Sequence, residues 1–205
     1  MKLRFVTAAA VAVAVALSAW GFGAQAQAAT SSITFTMVRS GAAVTANCLP
    51  NAAARVRVVT HGQTETMTVN ASGLPANAGF DLFILQLPNA PFGVSWYQSD
   101  LQSGSDGTAS VQVIGRFSAE TFAVAPSPGA SAPVVHPGVD AASNPPFAPI
   151  HTFHVGFWFN SPTDAAAAGC AATVTPFNGE HNAGVQAMST RNFADLQGPL
   201  RQLNP

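Results

Sequence analysis

The chain has 205 residues, of which 48% are hydrophobic and only 8% charged, and its formal net charge is −1. No cluster of Lys and Arg large enough to neutralise a phosphate backbone is present, so the composition excludes a nucleic-acid-binding protein. The length suffices for one domain with a substantial hydrophobic core.

The N-terminal segment is typical of a secretory signal peptide. Two positive charges within the first four residues precede an apolar run, Phe5 to Trp20, and small residues follow in an A-x-A pattern that fits cleavage after Ala26 or Ala28. The apolar run is shorter than the about 20 residues that cross a bilayer. We therefore expect residues 1–28 to be removed and residues 29–205 to be secreted, with no membrane span and a net charge of 6 − 9 = −3.

Alternating apolar and polar residues predict a succession of short strands. In chain order these are Ile33–Val38, Arg55–Thr60, Glu65–Ala71, Phe80–Leu85, Thr108–Ile114, Glu120–Val124, His151–Phe159 and Gly184–Thr190. The short segment His61–Gln63 predicts a hairpin between the second and third strands. We interpret residues 125–149, which are rich in Pro and lack periodicity, as a long surface loop. Residues 164–169 read as a small-residue turn, and residues 192–205 as an irregular tail.

The two cysteines predict one disulfide. An exported chain meets an oxidising environment, so Cys48 and Cys170 are expected to be bridged. The alternatives are two free thiols or a thiolate metal site. The bridge would take both cysteines out of the pool of catalytic nucleophiles.

Eight or nine short strands, Gly/Pro turns and no amphipathic helix of ten residues predict a single all-β domain. The segment from Gly73-Leu74-Pro75 to Phe80 resembles the crossover of immunoglobulin-like and fibronectin-type domains. That resemblance implies an antiparallel immunoglobulin-like β-sandwich over residues 29–205, and it implies nothing about function.

Three further segments resemble a group of secreted proteins of actinobacteria and related bacteria. They are Pro91–Gln98, Gly115–Phe122 and Thr175–Gly184. The likeness covers about 60% of the chain, from Phe80 to Arg201, and implies secretion by a bacterium. It brings no assigned activity or site.

Aromatic residues predict a ligand patch. Phe92, Trp96 and Tyr97 lie close together in an aromatic loop that begins with Pro91-Phe92-Gly93, and Trp158 lies on the most aromatic strand. Aromatic faces stack on the apolar faces of sugars and peptides. Packing within the core and along the sheet edge is the competing interpretation of the same residues.

Histidines and one glutamate form the alternative site. His151, His154, Glu180 and His181 carry the donor types that bind Zn or Cu, provided that the fold brings them to one point. The segment from Phe153 to Phe157, followed by Gly169-Cys170, is similar to the copper/zinc superoxide dismutase signature. Gly156 stands where that signature has a second histidine, so one copper ligand is missing.

The sequence thus predicts a secreted binding module or envelope-associated structural module, without cofactor, whose partner is an unidentified extracellular or cell-envelope ligand. The alternative is a metal-binding protein or metal-dependent enzyme that uses the histidine set. No Gly-x-Ser-x-Gly turn occurs, and nothing in the spacing selects a catalytic pair of carboxylates. The oligomeric state is left open.

Overall fold

The computed structural model describes residues 32–62, 64–117, 152–175 and 183–203. The expected signal peptide, the predicted strand Glu120–Val124 and the predicted loop at 125–149 lie outside these ranges. In chain order the elements are β1 (Ser32–Arg39), α1 (Gly41–Thr45), β2 (Ala53–His61), β3 (Thr64–Ser72), β4 (Gly79–Leu85), β5 (Ser95–Gln102), β6 (Ala109–Gly115), β7 (His154–Phe159), α2 (Pro162–Ala167), β8 (Gln186–Ser189) and a 3₁₀ helix (Pro199–Gln202).

The eight strands form one antiparallel sheet in the order β5-β4-β7-β8-β1-β2-β3-β6. Strand β1 makes the corner, since its residues 32–37 pair with β2 while Val38 and Arg39 pair with β8. The sheet therefore folds into two facing halves that enclose the core, and its two end strands, β5 and β6, come into contact. The prediction of an all-β, antiparallel, sandwich-like domain is confirmed.

The two halves of the sheet bury their residues differently. Strands β2 and β3 alternate between buried and exposed residues, as expected of a sheet with one solvated face. Every residue of β7 is buried, and so is every residue of β4 except Gly79, because these strands have packing on both faces. Phe80 lies at the centre of the core, with its ring centroid 5.3 Å from that of Phe157 and 4.9 Å from that of Phe159.

The disulfide Cys48–Cys170 is present, with the two Cα atoms 5.2 Å apart. Each cysteine lies three residues after the end of a short helix, and its backbone N–H donates to a buried alanine carbonyl five residues earlier, Ala43 and Ala165 respectively. Serine side chains cap both helices at their N-termini: Ser40 in α1 and Ser161 in α2. The bridge thus joins two similarly built corners from opposite ends of the chain.

Helix α2 corrects the predicted turn at residues 164–169. Ser161 accepts from the Asp164 N–H at 3.1 Å and donates to the Asp164 carboxylate at 2.9 Å, a reciprocal cap, and Pro162 fits the first turn. These start signals are visible in the sequence. The tail also contains a regular element that was not predicted, since the 3₁₀ helix buries Leu200 completely.

Strand β5 was not predicted, because Trp96 and Tyr97 were assigned to an aromatic loop. It is a partly exposed end strand with no continuous apolar face, so it lacks the alternation that reveals a strand. Its pairing with β4 also contains a register shift between Leu82 and Phe83. The shift brings Tyr97 opposite Phe83 and Trp96 opposite Ile84.

The contact between β5 and β6, which we call the seam, is closed at one end. Ser103, just after β5, forms an isolated bridge with Ala109 at the start of β6. The Ser103 hydroxyl accepts from the Ala78 N–H at 2.8 Å, and the Ser103 N–H donates to the Ala78 carbonyl at 2.9 Å.

At the other end of the seam, the Arg116 side chain donates to the Gly62 carbonyl at 3.1 Å and the Phe117 N–H donates to the Glu65 carboxylate. The end of β6 is therefore tied to the β2–β3 hairpin, and the seam opens there.

Removing the disulfide should destabilise the domain strongly. The bridge spans 122 residues, and in the chain-entropy model a loop of this size contributes up to about 4–5 kcal/mol. We expect the Cys48→Ser/Cys170→Ser double variant to unfold at a much lower urea concentration than the wild type. Adding a reductant should lower the wild-type midpoint and leave the double variant unchanged. Equal urea midpoints for the two proteins would show that the bridge does not hold the fold together.

Candidate functional site

The predicted aromatic patch divides between the two faces of the sheet. Phe92, Tyr97 and Trp158 lie together on the outer face, where Phe83 joins them. The ring centroid of Trp158 is 4.9 Å from that of Phe92 and 5.4 Å from that of Phe83, both edge-to-face. Trp96, which precedes Tyr97 on β5, points to the other face and lies opposite Ile84 of the core.

Trp158 is completely buried, so its ring is not an exposed platform. The segment 86–94 covers it: the Gln86 N–H donates to the Val94 carbonyl at 2.8 Å, and the Leu87 N–H donates to the Phe92 carbonyl at 3.0 Å. The Gln86 side chain closes this loop by accepting from the Val94 N–H at 3.1 Å. Phe92 is thereby held against Trp158 as a packing residue.

Tyr97 is exposed over 48% of its surface and belongs to an acidic corner of the outer face. Its hydroxyl donates to the Asp100 carboxylate at 2.8 Å, and Asp100 lies directly opposite Asp81 on β4. The pKa of Tyr97 is raised to about 12. The largest cause is desolvation, and the hydrogen bond to Asp100 and the negative charges of Asp100 and Asp81 add to it. Tyr97 is therefore a neutral hydrogen-bond donor at physiological pH, with no capacity to act as a base.

Trp96 lines a cleft of about 320 Å³ at the open end of the seam, which we call the seam cleft. Apolar surface comes from Ile84, Ile114 and Phe117. Polar groups come from Gln98, Arg116 and Thr152. Ile114 is 73% exposed at the rim. Two aromatic residues, Trp96 and Phe117, with aliphatic neighbours and a few polar groups are the usual composition of a small-ligand site, although this volume is at the small end of the range.

His154 of the predicted metal set is a buried structural residue with hydrogen bonds at both ring nitrogens. Its Nε2 lies 2.8 Å from the Asp195 backbone oxygen, and its Nδ1 lies 2.9 Å from the Thr190 hydroxyl. A carbonyl oxygen only accepts, so Nε2 carries the proton, and Nδ1 of the neutral ring accepts from Thr190. A metal ion at His154 would have to displace one of these partners.

The other three residues of that set, His151, Glu180 and His181, lie outside the described ranges. Within the described ranges, no three His, Cys, Asp or Glu side chains are grouped so that they could hold a metal ion. At Gly156, a Cβ atom would come within 2.8 Å of both Gln186 Nε2 and Leu85 Cδ1. Packing around this glycine leaves no room for the second histidine of the superoxide dismutase signature.

No helix in the part of the chain that the structure describes is long and apolar enough to cross a membrane. The sequence matches no established family, and no curated protein is significantly similar to it.

Burial makes the stability depend on the protonation of His154. Desolvation lowers the pKa of His154 below its ordinary value of 6.5. The hydrogen bond to the Asp195 carbonyl and the negative charge of Asp195 act in the opposite direction and offset only part of this effect. The unfolded chain then binds the proton more readily, so this residue's contribution to stability decreases as the pH falls below 6.5. The slope is at most about 1.4 kcal/mol per pH unit for one proton.

Urea unfolding of the wild type and of His154→Gln between pH 7.5 and pH 5 measures this contribution. We expect the variant to be less stable at pH 7.5 but to lose less stability than the wild type on acidification. His61→Gln, a change at an exposed histidine, is the matched control and should keep the wild-type pH dependence. If the stability of the wild type and of His154→Gln changed in parallel with pH, protonation of His154 would not affect the stability.

Proposed function

We propose that the protein is a secreted, non-enzymatic binding module that takes a glycan of the cell envelope in the seam cleft. The observation that carries the proposal is the position of Trp96. It lies at the open end of the seam, on the inner face of an end strand, beside an amide, a guanidinium and a hydroxyl group. Sugars combine apolar ring faces with many hydroxyls, so they suit an aromatic side chain next to such polar groups.

The polar residues of the cleft have distinct roles in this proposal. The Arg116 guanidinium is held in place by the Gly62 carbonyl and keeps further N–H groups for sugar hydroxyls or a sugar carboxylate. Two further polar groups line the cleft: the Thr152 hydroxyl and the Gln98 amide, whose Nε2 donates to the Trp96 and Tyr97 carbonyls and whose oxygen can accept from a sugar hydroxyl. Ile84 of the buried strand β4 also lines the cleft, so the site adjoins the core of the sheet.

Export supports an envelope ligand. The expected signal peptide and the disulfide between distant parts of the chain both fit an oxidising compartment outside the cytoplasm. The hydrogen bonds at both nitrogens of His154 weigh against the alternative of a metal centre, because that centre would use this residue.

Two neighbouring residues on β5 provide the test. Trp96→Ala should greatly reduce retention of the protein on insoluble peptidoglycan, because it removes the aromatic surface of the seam cleft. Tyr97→Ala, the adjacent residue on the opposite face, should be retained like the wild type. Circular dichroism of both variants establishes that the fold is intact.

The opposite pattern, with binding lost in Tyr97→Ala and kept in Trp96→Ala, would place the ligand on the outer face and refute the seam cleft. If neither variant reduces retention, then neither Trp96 nor Tyr97 takes part in glycan binding.

A further inference from the structure

One outer face of the sheet exposes two arginines side by side. On the solvent side of β1, β2, β3 and β6, the strand register places eight polar residues in two rows: Thr36, Arg55, Asn70 and Ser110 in the first, and Thr34, Arg57, Thr68 and Gln112 in the second. Seven of these side chains are exposed and Thr68 is partly exposed. None of the eight is acidic or apolar. We call this surface the arginine face.

The two arginines of this face differ from the other arginines in the described part of the chain. Each of the other four donates from its side chain to a backbone carbonyl; these are Arg39, Arg116, Arg191 and Arg201. The guanidinium groups of Arg55 and Arg57 have no hydrogen bond or ion pair with any described residue. They therefore do not hold the fold together and remain available to a ligand.

Cross-strand hydrogen bonds order the polar residues beside these arginines. The Ser110 hydroxyl donates to the Asn70 side-chain oxygen at 2.9 Å, and the Gln112 amide donates to the Thr68 hydroxyl oxygen at 3.2 Å. The Asn70 amide N–H groups and the Thr68 hydroxyl hydrogen are left as donors, and these two residues lie directly opposite Arg55 and Arg57 respectively. The face therefore offers two cations with neutral donors beside them, which suits anions that have several oxygen atoms.

The spacing of the two arginines suits a polymer with a regularly repeated charge. Arg55 and Arg57 lie two residues apart on β2, so their Cα atoms are about 6.8 Å apart along the extended strand. A guanidinium binds a phosphate through two parallel N–H···O bonds. In poly(glycerol phosphate), a three-carbon unit separates successive phosphodiesters, so that an extended chain can place one phosphate at each arginine.

We propose that the arginine face docks a phosphodiester polymer of the cell envelope, of the poly(glycerol phosphate) type. The phosphates bind Arg55 and Arg57, and further phosphate or polyol oxygens accept from Asn70 and Thr68. A membrane surface would instead favour basic residues mixed with apolar ones, and the two rows contain no apolar residue. The arginine face and the seam cleft have no residue in common, so this proposal shares with the glycan proposal only the expected export of the chain.

Titration of the purified protein with a short synthetic poly(glycerol phosphate) at low salt tests the proposal. We expect Arg55→Gln/Arg57→Gln to bind about tenfold more weakly than the wild type, the effect of two lost exposed charge pairs. Added salt should weaken the binding of the wild type, because it screens exposed charges. The matched control is Arg191→Gln/Arg201→Gln, which removes the same charge at two other exposed positions and should bind like the wild type.

Chemical-shift changes of the backbone amides locate the polymer on the wild type. They should be concentrated in β2 and β3, a result that does not depend on the folding of any variant. The proposal is overturned if the polymer does not bind at millimolar phosphate, if Arg55→Gln/Arg57→Gln binds like the wild type, or if both double variants weaken binding equally, since net charge alone would then explain it.

Two other polyanionic probes test the choice of ligand. Polygalacturonate carries carboxylates in place of phosphates, and vesicles of phosphatidylglycerol carry phosphodiesters on a membrane. Tighter binding of either probe than of poly(glycerol phosphate), lost in Arg55→Gln/Arg57→Gln, would overturn the proposed ligand. Because poly(glycerol phosphate) contains no sugar and Trp96 is unchanged in every variant, failure here leaves the glycan proposal standing.

Discussion

The hydrogen bonds of Ser103 are the constraint on which the seam depends. Its backbone and side chain both bond to Ala78, and its bridge to Ala109 starts β6 beside the end of β5. The Leu74 N–H donates to the Gly107 carbonyl at 3.1 Å, which ties the β5–β6 turn to the crossover between the two halves of the sheet. Gly107 has a φ of 72°, and a Cβ there would lie 2.5 Å from the Leu74 carbonyl oxygen, so the close approach requires glycine. One end of the seam is therefore fixed in a closed position.

The seam is open at one end because of the hydrogen bonds made at the end of β6. Arg116 and Phe117 bond to the β2–β3 hairpin rather than to β5. The two end strands therefore separate with distance from Ser103 and Ala109, and the inner face of β5 is accessible at Trp96. A fully paired barrel would have no cleft at this place. Ile114 is exposed because it lies on the solvent-facing side of β6, like Ser110 and Gln112, at the rim of the cleft.

Much of this architecture could be predicted from the sequence, and the failures have physical causes. Strands β2 and β3 alternate strictly because one of their faces is solvated, and β4 is revealed by its continuous apolar run. The disulfide could be predicted from the presence of two cysteines and the expected signal peptide. Strand β5 was missed because an end strand with a register shift has no periodicity to detect. Helix α2 could have been found from the Ser161-Pro162-x-Asp164 start signal.

The candidate site was harder to predict. The sequence placed Phe92, Trp96, Tyr97 and Trp158 in one patch, but adjacent residues of a strand point to opposite faces. Without knowledge of β5, the separation of Trp96 from Tyr97 could not be predicted.

Hydrogen exchange of the backbone amides tests the half-open seam most directly. Strands β4 and β7 are paired on both sides and are also buried on both faces, so their amides should exchange slowest. Along β5 and β6, the amides that face the seam should exchange slowly next to Ser103 and Ala109 and rapidly near Trp96 and Ile114. Uniform protection of the seam-facing amides along the whole length of both strands would mean that the sheet is closed, and it would contradict the seam cleft.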